Sequence, residues 1–228
     1  MIPKIIHTIW PGNDPFRQKF HAWRASWMKY NPEYSMMFWN LSNLPYDLMT
    51  PLGAKLAKSN LCYVSKADLI RYEILYLYGG IYVDADMECI KAIGPLVKGS
   101  FFAGKSYPPD GIINAIIGII PKHPVFKEII QVVAESFSKE WEAANDPKRL
   151  YCEPAGSMHK IAGNYLSKIN DAYIYPTATF YPFWCLDKRE KRAQADLSKS
   201  YTIHWWNGIE KNGWGHVDYS KNRTPSLA

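Results

Sequence analysis

Asp84 and Asp86 end the run Gly79-Gly80-Ile81-Tyr82-Val83-Asp84-Ala85-Asp86-Met87 with two carboxylates one residue apart. On an extended backbone residues i and i+2 project to the same side, so the two acids share one face. Ionised carboxylates held that close repel each other, and a divalent cation relieves the repulsion. Oxygen donors of this kind suit manganese or magnesium, ions that keep positions open for phosphate oxygens. A diphosphate bridged in this way is a good leaving group. Asp-x-Asp alone is equally the pattern of a solvated acidic turn, so its meaning rests on what surrounds it.

The surrounding elements place the pair. Ala67, Ile70, Ile74 and Leu77 recur at three- and four-residue spacing, which predicts a helix over 64–78. Ser65 reads as its N-cap, with Asp68 three residues on in a loose capping box. Gly79-Gly80 stops that helix, and 81–83 reads as a strand. The acidic pair then sits at a strand's C-terminal end, where open α/β sheets bind ligands. Upstream, 2–10 reads as a strand, 16–30 as a helix stopped by Asn31-Pro32, and 34–39 as a second strand. That order opens an α/β unit with parallel pairing. Strands are expected over 100–105 and 115–120, helices over 124–144 and 156–168. The aromatic stretch from Tyr173 onward ends in Trp205, Trp206 and Trp214, interleaved with glycines, and reads as a tail folding back over a site.

The chain has 228 residues, of which 47% are hydrophobic and 15% aromatic. That suits one folded domain with a sizeable core. No apolar run approaches the ~20 residues of a membrane span, and the N-terminus lacks the h-region of a signal peptide. A cytoplasmic protein, peripheral at a membrane at most, is the expectation. The net charge of +6 suits nucleoside diphosphates, an anionic membrane surface or nucleic acid, without choosing among them. The basic run Asp187-Lys188-Arg189-Glu190-Lys191-Arg192 has acids interleaved and reads as a solvated helix face. Four cysteines without Cys-x-x-Cys spacing speak against a zinc ribbon or redox pair. Gly-x-Gly-x-x-Gly, the P-loop and Gly-x-Ser-x-Gly are all absent.

The stretch from Lys66 to Met87 closely resembles the signature of glycosyltransferase family 32, the DXD-motif sugar transferases. That family includes yeast initiating mannosyltransferases and bacterial capsular polysaccharide enzymes. It also looks like the catalytic domain of the large clostridial glucosylating toxins. Asp68, Arg71, Tyr72, Leu75, Gly79, Gly80, Tyr82, Asp84 and Asp86 carry the resemblance. Residues 2–10 resemble the family's opening strand, and 114–124 its middle segment.

The resemblance implies the GT-A fold, an α/β, Rossmann-like nucleotide-binding sandwich around a central mixed sheet. It would fill 1–228 as a single domain, with 1–125 the nucleotide-sugar half and 126–228 the acceptor half and closing tail. It implies manganese (or magnesium), a UDP- or GDP-linked sugar donor, and transfer with retention to a glycan hydroxyl. Carried over, Asp86 would be the direct metal ligand, and Asp84 would reach the ribose or sugar, and the metal through water. Asp68 and Arg71 would hold the donor's hydroxyls and diphosphate side, and Trp10 would stack on the base. Asn114 would reach donor or acceptor. His204 would complete the metal shell, with Lys211 and Trp214 closing over the diphosphate.

Each assignment has a plainer competitor. Asp68 and Arg71 also fit an exposed helix pair worth ~0.3–0.5 kcal/mol, Trp10 a core residue, Asn114 a turn, His204 a structural histidine. Transfer to a nucleobase or a protein side chain is an alternative, as is a non-catalytic module binding nucleotide sugars or glycans. An aspartyl-phosphate phosphatase is disfavoured by Glu88, which stands where threonine or valine is required. No stable protein partner is expected.

Overall fold

The structure, a computed structural model, describes residues 1–10, 18–45, 63–107, 111–132 and 169–206. The chain opens with β1 (Ile5–Ile9), α1 (Gln18–Tyr30) and β2 (Ser35–Trp39). Next come α2 (Tyr63–Tyr78), β3 (Gly80–Val83) and β4 (Met87–Cys89). β5 (Phe101–Lys105) and β6 (Ile112–Ile119) precede a helix α3 (124–132). The rest is β7 (Ala172–Tyr175), the short helices α4 (Thr177–Phe180) and α5 (Arg189–Ala193), and β8 (Thr202–His204). The helix expected over 156–168 lies outside the described residues.

Among the described residues six strands form one sheet in the order β2-β1-β3-β6-β5-β7, and β4 and β8 form a separate pair. β1 runs parallel to both β2 and β3, as the opening strand-helix-strand order implies. β6 reverses the direction, antiparallel to β3 and β5, which makes the sheet mixed. Alternation sorts the side chains into two layers. Ile81 and Val83 pack with Ile6, Trp27 and Met87, whereas Tyr82 between them packs with Ile70, Leu75 and Phe126.

α2 is buried on more than its apolar stripe. Ile70 and Ile74 are in the core as expected, but Lys66, Asp68, Arg71 and Glu73 are buried too. The helix starts at Tyr63, so Ser65 lies inside its first turn and is not the cap. Asp68 has turned inward to Arg71. Gly79 ends the helix as expected: its N–H reaches the Leu75 carbonyl at 2.9 Å. Its φ of 61° and that of 93° at Gly80 are in the left-handed range that favours glycine. A Cβ would stand 2.6 Å from Pro121 at the first and 2.6 Å from the Ile5 carbonyl oxygen at the second.

His7 pins this junction to β1. Its Nε2–H donates to the Gly79 carbonyl at 2.9 Å, and its Nδ1 accepts the Trp39 indole N–H at 3.0 Å. Both bonds together need the neutral ring protonated on Nε2. Burial pushes His7 down to about 4, against a smaller upward pull from the Gly79 carbonyl. The folded state therefore binds the proton less well than the unfolded chain. Its contribution is complete above pH 6.5 and is lost as pH falls from there towards 4. Between pH 7 and 5 the loss is expected to be about 2 kcal/mol. Urea unfolding at both pH values measures it, and a His7→Gln variant with the same pH slope would contradict the assignment.

The basic run near α5 is only partly a solvated face. Lys191 pairs with Asp187 at 2.5 Å in the open. Arg192 is buried instead, donating to the carbonyls of Asp187 and Cys185 above the Phe183 ring. Among the described cysteines, Cys89 and Cys185 are both free thiols.

Candidate metal centre

β3, an interior strand, delivers the acidic pair just beyond its C-terminal end. The Asp84 N–H donates to the Ala115 carbonyl at 2.9 Å, extending the β3–β6 ladder by one residue. The chain then turns, with the Met87 N–H on the Asp84 carbonyl at 3.1 Å, so Asp86 stands in the bend before β4. β4 pairs antiparallel with β8, and Met87 faces His204. The Trp205 N–H adds a bond to the Asp86 carbonyl at 3.0 Å. This register carries a histidine to the aspartates across 118 residues of sequence.

The three side chains converge. His204 Nε2 lies 3.0 Å from Asp86 Oδ1 and 3.7 Å from Asp84 Oδ2. One donor atom from each falls within 4.8 Å of the others. Two carboxylate oxygens and an imidazole nitrogen at that spacing fit a manganese or magnesium ion. The carboxylates keep 24% and 13% of their surface exposed against 6% for His204, so the cluster opens on its acidic side.

Beneath it lies a buried ionic knot. The Arg71 guanidinium is ion-paired with Asp68 and lies 3.2 Å from Asp84. It also donates to the carbonyls of Asn114 at 2.6 Å and Ala67 at 3.3 Å, over the Tyr82 ring. The Asn114 side-chain amide donates to Asp68 at 3.2 Å, and the Tyr82 hydroxyl donates to Asp84 at 2.8 Å. Arg71 and Asp68 are 2% and 4% exposed, which excludes the surface-pair reading. Asn114 lies within β6, so it is no turn residue either.

Electrostatics follow from this crowding. Burial raises Asp84, opposed by Arg71 and His204 and helped by Asp86 and Asp68. Asp68 is raised for the same first reason, against Arg71 and Asn114. Burial alone would lower His204, but Asp86 and then Asp84 outweigh it and the ring is raised. A bound cation inverts this balance by favouring both charged carboxylates.

Trp10 is half-buried, 4.9 Å from the Phe20 ring, with its backbone N–H on the Trp39 carbonyl. Extending the His7–Tyr82 register brings it level with Ala85, at the same end of the sheet as the aspartates. Lys211 and Trp214 lie outside the described residues. Trp205 packs on Trp23, its indole N–H on Glu88, and Trp206 packs on His204. No role is read for Tyr82 from the sequence alone, although its place two residues before Asp84 on the same side of the strand is a signal for the contact. Tyr181 and Trp206, which both pack against His204, carry no local signal in the sequence.

Residues 18–103 match the family described as the glycosyltransferase sugar-binding region containing a DXD motif. The chain is 32% identical over 143 residues to mannosyl phosphorylinositol ceramide synthase CSH1 of Saccharomyces cerevisiae, covering 62% of this chain and 37% of that protein. It therefore spans little more than a third of that relative's length. It is 29% identical over 204 residues to the uncharacterised glycosyltransferase L373 of Acanthamoeba polyphaga mimivirus, covering 82% and 80%. The solved PaToxG glycosyltransferase superposes with a TM-score of 0.56 at 16% identity, over 73% of this chain and 69% of that one. The fold is the GT-A fold.

Proposed function

We propose, on the match of residues 18–103 to the glycosyltransferase sugar-binding region containing a DXD motif, that the chain moves a sugar from a nucleoside-diphosphate donor to a hydroxyl acceptor. The observation that carries this is the convergence of Asp84, Asp86 and His204 through the β4–β8 pairing. The family match stops short of His204, so the histidine's arrival is independent of it.

In this reading Asp86, Asp84 and His204 hold a manganese or magnesium ion. When bound, that ion supplies Lewis-acid stabilisation to the departing diphosphate. Arg71 and Tyr82 fix the Asp84 carboxylate, so that it meets the donor already oriented. Asp68 and Asn114 lock Arg71 from behind. Trp10, at the same end of the sheet as the aspartates, is the residue assigned to stack on the base, and the assignment of Lys211 and Trp214 to the diphosphate rests on the family resemblance alone. Transfer is with retention: the acceptor oxygen bonds to the anomeric carbon on the face from which the diphosphate leaves. The acceptor is a glycan hydroxyl, and the name of the yeast relative places mannose among the sugars to try.

The test needs no acceptor where the enzyme, like many such transferases, slowly passes the sugar to water. Free nucleoside diphosphate is measured from a panel of UDP- and GDP-linked sugars, with manganese and with EDTA. Release from one donor, abolished by EDTA, is expected and names the donor. Release that EDTA leaves unchanged would refute the metal assignment.

A further inference from the structure

The residue after the Asp86-bonded Trp205 has an unusual backbone. Trp206 has φ of 57°, and among the described residues only Lys122 shares a positive φ without being glycine. For a bulky side chain the left-handed region costs roughly 1–2 kcal/mol, and it persists where surroundings impose it. Here they do. The Trp206 indole N–H donates to the Phe183 carbonyl at 3.1 Å, and the side chain is buried. Its ring lies 4.0 Å from the His204 ring and 5.3 Å from Trp184. The Tyr181 ring stands 5.9 Å from the same imidazole.

His204 needs such help. An imidazole that binds metal through one nitrogen is ordinarily oriented by a hydrogen bond from the other. Nδ1 of His204 is buried and makes no hydrogen bond among the described residues. The χ2 torsion of histidine is broad and about two-fold, so with Nδ1 unbonded among the described residues the ring's angle is set by packing together with the 3.0 Å contact from Nε2 to Asp86.

The geometry points to Trp206 as a positioning residue for the metal site. Its indole face, with the Tyr181 ring packed beside it at 6.1 Å, holds the imidazole with Nε2 towards Asp84 and Asp86 before any ion binds. This rests on the reading that those three residues hold the metal. The left-handed backbone at 206 is what lets the chain leave β8 and fold its ring back onto the residue two positions earlier. Ordering that would otherwise be required at the binding step is built into the fold.

Two substitutions separate the ring from the rest of the side chain. Trp206→Leu and Trp206→Phe both lose the indole N–H, and only phenylalanine keeps a flat ring. Manganese binding to the purified proteins, followed by electron paramagnetic resonance of the free ion, is expected to weaken about tenfold or more in Trp206→Leu. In Trp206→Phe it should stay within about threefold of the parent. Donor turnover in the leucine variant should recover at saturating manganese, shifting the metal dependence and not kcat. Leucine binding manganese as tightly as the parent, while Asp86→Ala binds it poorly, overturns the proposal. Equal binding by the parent and Asp86→Ala would overturn the metal reading instead.

A measurement on the unaltered protein guards against a leucine variant that fails to fold. In the metal-free protein the His204 imidazole protons, assigned by their loss in His204→Asn, should be single and shifted upfield by the Trp206 ring current. Signals at the positions of a freely turning histidine sink the proposal.

Discussion

Replacing Arg71 by methionine is expected to cost about 3–5 kcal/mol of folding stability, the range for removing one partner of a buried ion pair. Methionine fills much of the space, so the loss is chiefly electrostatic. Asp68 and Asp84 would each lose the guanidinium that offsets their burial. The Asn114 and Ala67 carbonyls would lose their side-chain donor as well. Lysine should rescue little, since one ammonium cannot reproduce a planar fork aimed at two carboxylates and two carbonyls. Urea denaturation at pH 7 gives the figure directly. A methionine variant within 1 kcal/mol of the parent would show that the knot is dispensable to the fold.

Asp86→Ala has the opposite profile: little effect on stability and a very large one on turnover. Manganese-dependent release of nucleoside diphosphate should fall by about a thousandfold or more, roughly 4 kcal/mol of barrier. The carboxylate keeps part of its surface exposed, and removing its repulsion with Asp84 offsets the lost 3.0 Å contact to His204, so the melting temperature should move only a few degrees. The two variants together separate the loss of a proposed metal ligand from the loss of the buried knot that steadies Asp84. If Asp86→Ala kept manganese-dependent activity, that would falsify its assignment as the metal ligand.

Much of this was legible in the residues, and the boundary is instructive. The acidic pair could be placed because three local signals agreed: a helical apolar period, a Gly-Gly stop and a short apolar strand. Those signals depend on neighbours in sequence, and the structure realises each of them within a few residues. Asp68 and Arg71 were visible as a pair at i, i+3, but their burial was not. Charge in a helix reads as exterior, and only the strand β6 passing overhead, with the Asn114 carbonyl, makes the interior habitable for them. Ser65 failed as a cap because the helix begins two residues earlier, and a capping pattern says nothing of what precedes it. The β4–β8 pair was invisible for a simpler reason. Strands of three residues have no period to detect, and their partners lie more than a hundred residues apart.

That pairing also sets an order of events. Contacts of long sequence separation carry the larger loop-closure cost and form late. Residues 5–119 already contain five strands of the main sheet, both aspartates and the arginine that steadies one of them. During synthesis this part can collapse while the histidine is still untranslated. Until β8 docks, a nascent chain would carry its two acids without the third donor. If those three side chains hold the metal, the competence to bind it would arrive with β8, well after the sheet itself.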